Sequence, residues 1–129
     1  MYKDKFKKLI SVLDKEYDAY SKLKELFAEK REVLKQAKSD DLGVLDNKIL
    51  ATNNTIVKLN NMRKNASMEL LGKDGCMSDF ISFAEDNQPE FQEPLMLRKV
   101  KICKIIEDLA LLNNQNVELL KHGIIMTNK

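Results

Sequence analysis

The 129-residue chain has no tryptophan, two prolines, four glycines, two cysteines and a single histidine. So few turn-forming residues argue against a sheet protein built from many short strands. Cys76 and Cys103 stand far apart with no CxxC pair, which speaks against a disulfide scaffold or a zinc module. His122 follows Glu118 at the wrong spacing for the Glu-x-x-His pairs of di-metal bundles, and there is no second histidine to help it. No apolar run approaches the roughly eighteen residues of a membrane span, and no signal peptide follows Met1, so the chain reads as a cytoplasmic protein without membrane insertion. Glycine-rich phosphate loops, the GxSxG elbow and the HExxH helix are missing too. Asp14, Glu16 and Asp18 read as a solvated helix face, and Cys103 as a small residue on a helical core stripe. The expected work is binding rather than catalysis, with no cofactor and no metal.

What the chain does have is charge. Charged residues make up 33% of it, above the usual quarter, yet they nearly cancel to +2. A near-neutral balance carries no strong nucleic-acid footprint. The basic stretches KDKFKK and RKVKICK are interrupted by acidic or apolar positions and read as solvated helix faces. Charge is uneven along the chain: Met1 to Lys38 holds 11 basic and 7 acidic residues, Lys73 to Pro94 only 1 basic and 6 acidic. The acidic middle reads as an exposed connector.

Apolar residues recur at helical spacing in three long segments. In the first, about 3–38, Phe6, Ile10, Leu13, Tyr17, Tyr20, Phe27 and Leu34 form a stripe that Leu9, Leu23 and Leu26 widen. In the second, about 41–71, Leu42, Leu45, Ile49, Thr52, Ile56, Leu59, Arg63, Ala66 and Leu70 keep an unbroken rhythm of threes and fours. Ser39, Asp40 and Asp41 suit its start, Gly43 weakens its first turn and favours a late start, and Gly72 suits its stop. A short element, about 78–85, carries Phe80, Ile81 and Phe83, and DNQPEFQEP reads as loop. The third long segment, about 95–124, shows Ile102, Ile105, Ile106, Leu109, Leu112, Leu119 and Leu120 on one face, with Gly123 beginning its end. The expected fold is all-α: one domain over 1–129, an antiparallel bundle of three long helices with a short helical element between the second and third.

Asn113 and Asn116 interrupt the leucines of that last helix. Three readings are open. They lie at the border of the apolar face, or a buried asparagine fixes helix register at a cost in stability, or this part of the helix offers a mixed apolar and amide surface to a partner.

The N-x-x-N-x-x-L-L run of Asn113, Asn116, Leu119 and Leu120 resembles the FlgN-type flagellar export chaperones. So do the DDL start at Asp40 to Leu42 and the order long helix, long helix, short element, long helix. The resemblance implies a cytoplasmic chaperone that holds hook-associated (hook–filament junction) proteins before type III secretion. It would bind an amphipathic segment of them and deliver them to components of the export gate, consuming neither ATP nor metal itself. Leu112, Asn113, Asn116, Leu119, Leu120, Ile124, Ile125 and Met126 are the expected client-binding residues, because apolar side chains near a chain end are costly to leave in water. The competing expectation is a structural or adaptor coiled coil, homodimeric and without chaperone activity.

Overall fold

A computed structural model describes residues 2–36 and 39–127, side chains excepted at 39 and 122–127. Four α-helices account for nearly all of them: α1 (Lys3–Lys35), α2 (Ser39–Leu71), α3 (Met77–Asn87) and α4 (Gln92–Thr127), with a single 3₁₀ turn, Pro89–Phe91, leading into α4. No strand occurs among the described residues.

Helix α1 lies at the centre. Its backbone runs close along both α2 and α4, whereas α2 and α4 scarcely approach each other. Cross-helix pairs give the directions. Lys8 meets Glu69, Glu16 meets Arg63 and Lys30 meets Asp46, so one number falls as the other rises and α1 and α2 are antiparallel. Asp14 meets Arg98 and Lys24 meets Asp108, so α4 runs parallel to α1. The exposed pairs, Lys8–Glu69 and Lys30–Asp46, contribute little each, but together all five record the register.

Periodicity explains the buried set. On α1, Phe6, Leu9, Leu13, Leu23 and Leu26 are buried, and on α2 so are Leu45, Thr52, Ile56, Leu59, Ala66 and Leu70. At one end, Phe80 and Ala84 of α3 join Phe6, Leu9, Leu70, Phe91, Leu95 and Ile102 in the main cluster. Phe6 stacks on Phe91 with ring centroids 5.1 Å apart, and Tyr2 meets Phe83 edge-on at 5.0 Å. Full burial of the Phe6 ring stabilises the fold by roughly 1.5–3 kcal/mol.

The turn between α2 and α3 is pinned from below. Gly72 takes a φ of 75°, which spares a side chain the strain of that conformation, and its N–H closes α2 on the Met68 carbonyl. The fully buried Ser67 hydroxyl donates to the Lys73 carbonyl at 2.6 Å and accepts from the Gly75 N–H at 2.7 Å. Asp79 then reaches back to the Cys76 N–H at 2.9 Å, capping α3. That bond is the main cause holding the Asp79 carboxyl below its ordinary range.

Several boundaries differ from the sequence expectation. Helix α2 begins at Ser39 with Gly43 inside it, because Asp40 and Asp41 favour the first turn enough to offset one glycine. Helix α4 begins at Gln92, since Pro94 falls in the first turn, where no intrahelical N–H bond is lost. It also continues through Gly123 to Thr127. The stretch read as loop thus holds a 3₁₀ turn and the start of α4.

Candidate functional site

Among the described residues no helix is long and apolar enough to cross a membrane. What the fold offers a partner is helix surface, and α4 carries most of the uncovered apolar part. Met96, Leu97, Val100, Ile106, Leu111, Val117 and Leu120 are all exposed along it.

The expected client-binding residues fall into three groups. Asn113 and Leu120 are exposed, and Leu112 and Leu119 are half-buried. Asn116 is buried: its amide donates to the main-chain carbonyl of Phe27 at 3.1 Å, and its Oδ1 is enclosed with no partner among the described residues. The side chains of Ile124, Ile125 and Met126 lie outside the described residues. A step of three residues turns a helix by about 60° from alignment, enough to carry Asn113 outward while Asn116 faces α1. Of the three readings of the asparagines, register-fixing suits Asn116 and surface display suits Asn113. Beside them Arg31, Lys35, Asn114, Gln115, Glu118 and Leu119 line a shallow groove of about 360 Å³ between α1 and α4.

The larger groove lies elsewhere. It occupies about 670 Å³ between α3 and the first half of α4, with Ile81, Met96, Val100 and Cys103 on its walls. Two expectations are corrected here. Cys103 is exposed rather than a core residue. Ile106 is 45% exposed, although it shares the segment of Ile102 and Ile105. Helix α4 carries two apolar stripes, and the sequence expectation named one face without Met96 and Val100. The signal for the second was the spacing of Met96, Val100 and Cys103 at i, i+4 and i+7, off the line of the buried Leu95, Ile102 and Leu109.

The interior also holds an ion pair that the sequence reading missed. Glu16 is fully buried and accepts from Arg63 at 2.9 Å, while its other oxygen has no partner. Burial pushes the Glu16 carboxyl above its ordinary value, and the Arg63 guanidinium offsets part of that rise. Tyr20 is pushed up as well, by burial first and then by the Glu16 charge.

The profile of a family described as FlgN protein matches residues 1–129, the whole chain. The chain belongs to the FlgN family. This is the family that its Asn113–Leu120 run and helix order resemble, and membership points to a flagellar export chaperone role. No curated relative and no solved structure matches the chain.

Proposed function

We propose that this FlgN-family chain is a cytoplasmic chaperone for hook-associated proteins, the proteins of the hook–filament junction. It binds an amphipathic segment of its client, prevents premature association and delivers the client to components of the type III export gate. The observation that carries the reading is the whole-chain family match. The apolar side chains left uncovered on α4 agree with it, because a surface of leucine, valine and methionine can cover a client's apolar stripe reversibly. In this reading 1–129 works as one domain, an antiparallel bundle of the three long helices. No step requires a cofactor or catalysis.

The proposed contact on the C-terminal half of α4 is Leu112, Asn113, Leu119, Leu120, Ile124, Ile125 and Met126. Asn116 serves it indirectly, holding this stretch of α4 in register on α1. The test is titration calorimetry with a purified hook-associated protein encoded in the same genome. A one-to-one complex is expected, weakened at least tenfold (about 1.4 kcal/mol) in a folded variant with serine at 119, 124 and 125. A stable homodimer indifferent to every such protein would instead identify an adaptor coiled coil.

A further inference from the structure

The groove between α3 and α4 is remote in sequence from the C-terminal half of α4. Met96, Val100, Cys103 and Glu107 follow one another at i, i+4, i+7 and i+11 along one wall, and Ile81 faces them from α3. At 1.5 Å per residue that wall is about 16 Å long, three turns of helix. Met96 is 50% exposed and Val100 69% exposed, so nothing among the described residues covers the stripe. A helix lying alongside meets such a wall with its own residues at i, i+3 or i+4, and i+7.

The charges around the groove say which helix. Lys99 donates to the Ser78 hydroxyl at 3.1 Å, and among the described residues no carboxylate pairs with it. Lys104 also lines the groove, and it shares Asp108 with Lys24, at 3.0 Å and 3.1 Å. Glu107 lines the far end, eight residues and about 12 Å beyond Lys99. The groove is therefore apolar along its wall, and Lys99 is the lining cation that no carboxylate holds among the described residues.

We propose that this groove is a second docking site, and that its occupant is an amphipathic helix of the chaperone's client. That helix presents three turns of apolar face and a carboxylate over Lys99. The proposal rests on the chaperone reading above and gives the client two separate holds on α4.

The two cysteines supply the experiment. Cys103 lines the groove, while Cys76 is exposed outside its lining and serves as an internal control. The unmodified chain is treated with a maleimide, with and without a saturating hook-associated protein from the same genome, and each site is followed by mass spectrometry. Bound client should slow modification of Cys103 at least tenfold and leave Cys76 within about twofold. A folded Met96→Asp, Val100→Asp variant should bind at least tenfold more weakly, and Lys99→Glu should weaken binding in a manner that salt diminishes. Unaltered Cys103 reactivity in a complex whose formation calorimetry has established overturns the groove and leaves the chaperone reading standing. Failure of the parent chain to bind any hook-associated protein overturns the chaperone reading itself.

Discussion

Asn116 on α4 donates its side-chain amide to the main-chain carbonyl of Phe27 on α1, 3.1 Å away, at a depth where only 3% of the residue is exposed. A helix carbonyl already serves its own helix, so the extra bond is a small gain. Against it stands the enclosed Oδ1, which has lost water and found nothing in exchange. Leaving such an atom unpaired costs about 1–3 kcal/mol. The pair locates α4 along α1 at the expense of stability.

Asn116→Leu should therefore raise stability, by about 1 kcal/mol, since the apolar side chain of similar size removes the unpaired oxygen. Asn116→Ala should lower it, because a cavity replaces the amide. Denaturant unfolding of both variants checks the pair of signs. A Leu variant weaker than the parent by more than 1 kcal/mol would mean that Oδ1 is in fact well solvated.

Ser67→Ala is expected to cost about 1–3 kcal/mol, because it strips the Lys73 carbonyl and the Gly75 N–H of a shared buried partner. The loss should be local as well as global. Hydrogen exchange at Gly75 should accelerate more than exchange in the middle of α2. Uniform acceleration along the chain would deny Ser67 its role in anchoring the turn before α3.

The Glu16–Arg63 pair shows what could be read from the sequence and what could not. Arg63 interrupts the apolar stripe of α2 at a core position, and Glu16 falls on the stripe of Leu9, Leu13 and Leu23, where its charge alone argues for solvent. Each looks like an exception until the two are seen 2.9 Å apart. The stripe of α2 itself was legible because Leu45, Ile56, Leu59, Ala66 and Leu70 keep one helical face, Arg63 apart, and that face packs mainly on α1. Helix α4 was less so, since its apolar residues serve two faces, one against α1 and one beside α3. Periodicity finds a face but does not say which neighbour covers it. The groove wall of Met96 and Val100 needed the position of α3, which depends on the Ser67 turn.

Leu59 is 7% exposed. Leu59→Asp places a charge there and should destabilise the protein by about 3–4 kcal/mol. Circular dichroism melts of the variant are the check, and a melting temperature within a degree or two of the parent's would contradict the seam as described.

The pH response of Glu16 has a definite sign. Its folded-state pKa lies above the ordinary value of 4.5, with burial as the larger cause and Arg63 opposing it. Between the ordinary value and the raised one, the folded state holds a proton that the unfolded chain has released. Stability then falls as pH rises through that window, because the slope follows the protons bound unfolded minus those bound folded. Glu16→Gln removes this dependence while keeping an oxygen that can accept from Arg63. Below the window the two proteins should have similar stability. As pH rises from the ordinary carboxylate range through the raised folded-state pKa, the variant should gain steadily on the parent, and remain ahead above it. Arg63 is partly exposed and keeps access to water, so losing the opposite charge costs it little. Thermal melts of both proteins across that range decide the matter. A parent that gained on the Gln variant as pH rose would mean that Arg63 outweighs burial, and that the pair stabilises the junction of α1 and α2 rather than straining it.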